Sequence, residues 1–139
     1  MKEDKIAFNM QDISIDQFAI IGDKIPVDGR IKTELQIGAD KTNKGVAIRF
    51  RVTYVDDSGE VVLIIQTTCI FAVRSEDWDS HTSEDGSVSL PHGFLAHLAM
   101  HAFGTMRGVL YCKTVETPIG AVILPPTNVD ELVPKEFIV

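Results

Sequence analysis

The sequence has few of the features that mark secreted, membrane and redox proteins. Its 139 residues include only two cysteines, Cys69 and Cys112, without CxxC spacing, so no disulfide framework is indicated. The longest apolar run, residues 61–65, is strand-sized and far short of the roughly 20 residues that span a bilayer. The N-terminus opens on mixed charge and leads into no apolar signal core. We therefore expect a reduced, cytoplasmic protein without membrane insertion.

Positive charge is also scarce. The chain has 13 Lys and Arg against 20 Asp and Glu, a formal net charge of −7. An acidic excess works against binding to phosphates, so no nucleic-acid partner is expected. The hydrophobic share of 45% and the charged share of 24% are those of an ordinary globular protein, and the length predicts one domain over residues 1–139.

Catalytic and cofactor motifs are missing from the sequence. It contains no GxSxG elbow, no phosphate-binding glycine loop and no HExxH. His97 and His101 lie four residues apart on a predicted helix and could chelate zinc or nickel, with His92, Cys112 or an acid as third ligand. The alternative is an interface or core pair satisfied by hydrogen bonds. Because isolated pairs of this kind are common, we expect no metal, no cofactor and no catalytic residue.

The sequence does contain a series of strand patterns. Alternating apolar and polar residues predict strands over residues 6–15, 31–37, 46–54 and 60–73, and the turn at 56–59 joins the last two into a hairpin. In the first strand the alternation slips by one residue, which predicts a β-bulge near Asp12. Residues 74–86 are acidic and are interpreted as a solvated loop, with a site for a cation or basic partner as the alternative. Trp78 is expected to fold back onto the domain.

Between residues 91 and 112 the apolar period becomes helical, and one broad face should pack on the sheet. The opposite face carries no charged residue, unlike the usual solvent-facing side of a helix. A helix that is apolar or small all round is usually buried all round, and one sheet leaves nothing to cover the second face. We therefore predict an oligomer interface formed by Gly93, His97, His101, Gly104 and Gly108. After the helix, residues 116–126 are predicted to be extended, and residues 128–133 to form a turn of helix that Pro134 ends.

Four short segments are notable for their sequence and their order along the chain: DISID at residues 12–16, IRFRVT at 48–53, CIFAV at 69–73 and LPPTNVDEL at 124–132. The long predicted helix lies between the third and the fourth. In this order they resemble segments of the SecB family, the bacterial export chaperone SecB and its relatives. The last segment, similar to the family's Leu-Ala-Pro-Val-Asn-Phe-Asp-Ala-Leu, is the most specific, and the resemblance covers roughly residues 5–133.

The resemblance implies an α+β fold, a four-stranded antiparallel sheet with one long helix packed across it. The second helix of the family is expected to be curtailed here by Pro134. Family protomers pair into dimers and then a homotetramer, with the long helices at the dimer–dimer interface. Their acidic sheet surface docks the translocase motor SecA, and Asp12 and Asp16 match two of its positions. A further acidic position falls on or near Ile64.

These implications predict a molecular chaperone that holds unfolded polypeptide without ATP, for protein export or for a dedicated client such as an antitoxin. A holdase needs exposed apolar surface. The candidates are Phe71, Val73, Trp78, Ile119, Val122 and Leu124. Two alternatives stay open: a small α+β enzyme, either a hot-dog-like thioesterase or a His-pair metal site, and a structural oligomer or antitoxin-type partner.

Overall fold

In the computed structural model, which describes residues 5–27 and 29–139, the predicted strands form one antiparallel sheet. They are β1 (Phe8–Ile20), β2 (Arg30–Asp40), β3 (Gly45–Val55) and β4 (Val61–Val73), and their order across the sheet is β1-β4-β3-β2. The predicted hairpin of β3 and β4 is confirmed. In its turn Gly59 has φ of +91°, which suits glycine, and the Asp56 carboxylate accepts a hydrogen bond from the Ser58 amide at 2.9 Å.

The first strand contains two β-bulges. The register of β1 with β4 shifts between Met10 and Asp12, which confirms the predicted bulge, and again between Ile15 and Gln17. Because of these shifts, the large apolar residues of β1 lie opposite residues on one side of β4: Met10 opposite Phe71, Ile13 opposite Cys69, Ile15 opposite Thr67 and Phe18 opposite Ile65. The slip in the sequence pattern therefore keeps these side chains on the same side of the sheet.

The described residues form two α-helices and one 3-10 helix: α1 (Ser75–Ser80), α2 (His92–Thr114) and the 3-10 helix (Val129–Leu132). The short helix α1 lies where a solvated loop was expected, so that interpretation is wrong for these six residues. Arg74 pairs with Asp77 at 3.0 Å and Lys44 with Asp79 at 2.9 Å. Trp78, only 2% exposed, folds back into the core.

The long helix α2 packs on β3 and β4 and defines the core side of the sheet. The largest fully buried side chains come from both layers, among them Ile48, Phe50, Phe71, Leu95, Leu98, Met106 and Leu110. The rings of Phe50 and Phe103 meet edge to face across the layers, with centroids 5.3 Å apart. The predicted packing face of the helix is confirmed, as is the α+β architecture.

The segment after α2 runs back along one flank of the helix. Thr114, fully buried, donates from Oγ1 to the Leu110 carbonyl and accepts from the Val122 amide at 2.9 Å. Arg107 donates from Nε to the Leu124 carbonyl at 2.9 Å. The 3-10 helix confirms the predicted turn of helix, and no further helix follows it in the described chain. The last residue, Val139, then pairs with Val88 through two backbone hydrogen bonds.

Candidate functional site

Most of the predicted client contacts lie in the core. Five of the six side chains are 0–6% exposed: Phe71, Val73, Trp78, Val122 and Leu124. Ile119 alone is half-buried. The expectation that these five form exposed apolar surface is wrong. They belong to one buried cluster with the packed face of α2, because their side chains pack between the sheet and that helix or along the flank of the helix.

Exposed apolar side chains are found instead on the outer face of α2, where Met100 is 62% and Tyr111 is 43% exposed. We define the α2 stripe as Gly93, His97, Met100, His101, Gly104, Gly108 and Tyr111, all exposed. It contains no charged residue, and it includes every residue of the predicted oligomer interface. A Cβ built at Gly93, Gly104 or Gly108 meets nothing within 4 Å, so each glycine opens onto free space.

The single charge in the middle of the helix is directed away from this stripe. Arg107 is the only formal charge between Pro91 and Lys113. Its guanidinium lies 5.4 Å from the centroid of the Phe103 ring, and its Nε binds the Leu124 carbonyl on the flank of the helix. The α2 stripe is therefore a surface without formal charge, formed by three glycines, two histidines, Met100 and Tyr111.

A second apolar surface borders the stripe on β1. Met10, Ile13 and Ile15 lie on the core side of the sheet but are 36%, 47% and 44% exposed, since α2 covers β3 and β4 and leaves the middle of β1 open. We call these three residues the β1 patch. Phe8, at the start of the same strand, packs edge-on against the rings of His97 and His101, which places patch and stripe side by side.

The β1 patch is not among the apolar contact residues predicted from the sequence. The alternation in residues 6–15 predicts that its members lie on one face of a strand, and it is the one feature of the sequence that points to the patch. Alternation indicates which side of the sheet a residue faces, but whether that side is covered depends on where a helix far along the chain packs.

His97 and His101 form a close pair within the stripe. Their Nε2 atoms are 3.2 Å apart and the two rings are tilted by 39° with centroids 4.8 Å apart. The edge of the Phe8 ring supports both, with centroid distances of 5.4 Å and 5.7 Å. Within residues 5–27 and 29–139, no group of three or more His, Cys, Asp or Glu side chains is placed to hold a metal ion.

Asp12 and Asp16, the predicted SecA contacts, lie on β1, where Asp12 is exposed. Asp16, however, is paired: it accepts hydrogen bonds from Thr68 and from Ser14 Oγ, and it lies 3.7 Å from Arg49 Nε. Partial burial raises the pKa of Asp16, but these hydrogen bonds and the arginine charge outweigh it and leave its pKa below the usual value.

The surface around Asp16 is therefore not a simple acidic patch. Arg49 and Arg51 alternate with the core residues of β3, so they lie on the open side of the sheet. Ile64 faces the same side opposite Thr53 and is only 7% exposed.

Asp16→Asn is expected to lower the free energy of unfolding by about 1 kcal/mol at pH 7, because a charge-assisted hydrogen bond is lost. The pKa of Asp16 is depressed in the folded state, so its stabilisation is present above the unfolded value of 3.8 and is lost as the pH falls through the folded value. Urea unfolding of both proteins from pH 7 down to acid should show the two curves converging. Asp12→Asn, on the same strand, is the control, and a pH-independent difference would contradict the assignment.

Enzyme features are weak in this structure. Burial raises the pKa of the Cys69 thiol, although Thr105 partly offsets this, so the sulfur is a poor nucleophile. The helix α2 follows all four strands, whereas in the hot-dog alternative the long helix precedes most of the sheet. Among the described helices, none combines the length and apolarity needed to cross a membrane.

Comparison with known proteins shows a likeness in structure alone. No family model and no curated protein matches the sequence. A SecB-like chaperone of Mycobacterium tuberculosis, solved in complex with a ChAD peptide from the HigA1 antitoxin, matches with a TM-score of 0.51 at 12% identity over 86% of this chain and 90% of that one. A Streptococcus agalactiae protein of unknown function matches with a TM-score of 0.44 at 14% identity over 88% and 99%. The first of these confirms the SecB-like fold expected from the sequence.

Proposed function

We propose that this chain, which has the fold of a SecB-like chaperone, is a holdase that binds non-native polypeptide without ATP in the cytoplasm. The observation that carries the proposal is the pair of adjoining apolar surfaces, the α2 stripe and the β1 patch. Contiguous exposed apolar surface of this kind marks a site for a protein partner. The surplus acidic charge of the chain, −7 overall, keeps such a protein from self-aggregation.

The α2 stripe serves assembly in this proposal. Its three glycines lack side chains where two helices would meet, which allows close approach of their backbones. The stripe has no charge to desolvate. A second copy of the chain presents the same surface, so a symmetric contact through α2 is self-complementary. The expected assembly is a homotetramer, a dimer of dimers.

The β1 patch serves the client. β1 is an edge strand of the sheet, so one row of its backbone groups has no partner strand among residues 5–27 and 29–139. An extended apolar segment can add to this edge while its side chains pack on Met10, Ile13 and Ile15. Ile119 is the one contact proposed from the sequence that remains partly accessible.

A dedicated client, such as an antitoxin, fits this chain better than general export. The similar mycobacterial chaperone is itself bound to a peptide from an antitoxin. Docking to SecA would use the acids of β1, but Asp16 is paired with Arg49 and the position of Ile64 holds no acid. The enzyme alternative lacks an observation of comparable weight.

The experiment is a light-scattering assay of citrate synthase diluted from guanidinium chloride, without ATP. Wild-type protein should suppress aggregation at a molar ratio of about one assembly per molecule of citrate synthase. The double variant Ile13→Ser/Ile15→Ser should lose most of this effect. The matched control is Ile21→Ser/Ile138→Ser. These two residues are 64% and 55% exposed and lie away from the patch. Absence of suppression by the wild type would overturn the chaperone proposal. Equal loss in both double variants would overturn the role of the β1 patch.

A further inference from the structure

We propose that His97 and His101 are half of a transition-metal site that the same two histidines of a second copy of the chain complete. The ion of choice is zinc, and the site would lie on the α2 stripe. The inference goes beyond the holdase function but rests on the assembly through α2 proposed with it.

The spacing of the two nitrogens fits one metal ion. Their Nε2 atoms are 3.2 Å apart. Two ligands of a tetrahedral zinc ion with Zn–N bonds of about 2.0–2.1 Å are separated by about 3.3 Å. An ion can therefore bind both nitrogens with almost no movement of the backbone. It would replace the single hydrogen bond that two neutral imidazoles can share.

The two imidazole rings are preorganised to bind such an ion. Both lie on successive turns of one helix, and the Phe8 ring packs edge-on against each of them. Because Phe8 restricts the rings, less side-chain entropy is lost when they bind a ligand. The nearest formal charge on the helix, Arg107, is directed toward Leu124 and does not repel a cation at this position.

A second copy supplies what one chain lacks. Zinc in a structural site takes four protein ligands, and no third ligand joins this pair among the described residues. The histidines lie on the exposed side of α2, with Gly93 before them and Gly104 and Gly108 after them on the same stripe. A two-fold axis through this part of the stripe would bring four imidazoles together without any side chain of the glycines in the way.

The test uses full-length protein without a histidine tag, freed of metal with a chelator and titrated with zinc chloride by calorimetry. We expect one zinc ion per two chains and, in light-scattering mass measurements, an assembly that resists dilution about tenfold further with zinc than without it. Cobalt in place of zinc should give the visible absorption of a tetrahedral complex. His97→Gln and His101→Gln should each abolish binding at this stoichiometry, whereas His92→Gln, on the first turn of the helix, should retain it.

Gly104→Leu separates the shared site from a two-ligand site within one chain. This variant keeps both histidines but blocks close approach of a second helix, so its zinc affinity should fall at least about tenfold. Unchanged affinity, one ion per chain, or zinc binding that survives His97→Gln would each overturn the inference, as would a wild type that binds no zinc. If one of these results is found while the zinc-free protein still assembles and suppresses aggregation, only the metal site fails and the proposed function stands.

Discussion

Gly104→Arg is expected to split the proposed homotetramer at its α2 contact and leave dimers. The arginine would stand in the middle of the α2 stripe, where every other position of the stripe is uncharged, and the same charge would enter from the second copy. Leaving an unpaired charge in a desolvated contact costs about 3–5 kcal/mol, which weakens association by roughly a hundredfold to several thousandfold. The mass measured by light scattering, followed over a dilution series, reports the change directly.

The fold of each chain should survive this substitution. Apart from the chain neighbours and the backbone of α2 itself, no atom lies within 4 Å of a Cβ at Gly104, and arginine favours a helix interior over glycine by almost 1 kcal/mol. Gly38→Arg is the matched control, because Gly38 is also exposed with no atom within 4 Å but lies on β2, away from α2. A Gly104→Arg protein that keeps the wild-type mass would show that assembly does not use the α2 stripe.

Phe71→Ala is expected to lower the free energy of unfolding by about 3–5 kcal/mol, since it removes a fully buried ring and leaves a cavity. Natural domains are stable by only about 5–15 kcal/mol, so this one change removes a large share of the total. The ring packs edge-on against Phe8, with centroids 5.8 Å apart, so the loss also reaches β1. Urea denaturation monitored by the fluorescence of Trp78 measures the effect.

This result distinguishes a core residue from a client contact. If Phe71 bound clients on the surface, its removal would weaken client capture and leave stability nearly unchanged. Phe71→Leu keeps most of the buried volume and should cost less than about 1.5 kcal/mol. Ile138→Ala, at a residue 55% exposed, is the surface control and should change stability by no more than about 0.5 kcal/mol. Similar small losses for Phe71→Ala and Ile138→Ala would contradict the core assignment.

Elements with a clear period were predictable from the sequence. The four strands, their hairpin, the bulge near Asp12 and the packing face of α2 all follow from the spacing of apolar residues over short windows, and the structure confirms them. Helix α1 was missed because six residues are too few to show a helical period. Its stability comes from the burial of Trp78 and from ion pairs with residues outside it, such as Lys44.

The candidate site was predictable only in part. The uncharged outer face of α2 is visible in the sequence, because a missing charge needs no tertiary information to be noticed. Asp16 looked like a free acid, and its pairing with Arg49 depends on the register that brings β1 and β3 to either side of β4. The pairing of Val88 with Val139 likewise joins segments that are remote in the chain.

By itself the sequence determined the fold class, the order of the elements and the side of each element on which its apolar residues lie. The tertiary structure alone decided which of those sides are covered. Phe71 and Leu124 became core while Ile13 and Ile15, with the same apolar pattern, stayed exposed. The physical reason is that periodicity is a local property of the backbone, whereas burial depends on which remote surface packs above a residue, and α2 is too narrow to cover both the centre of the sheet and β1.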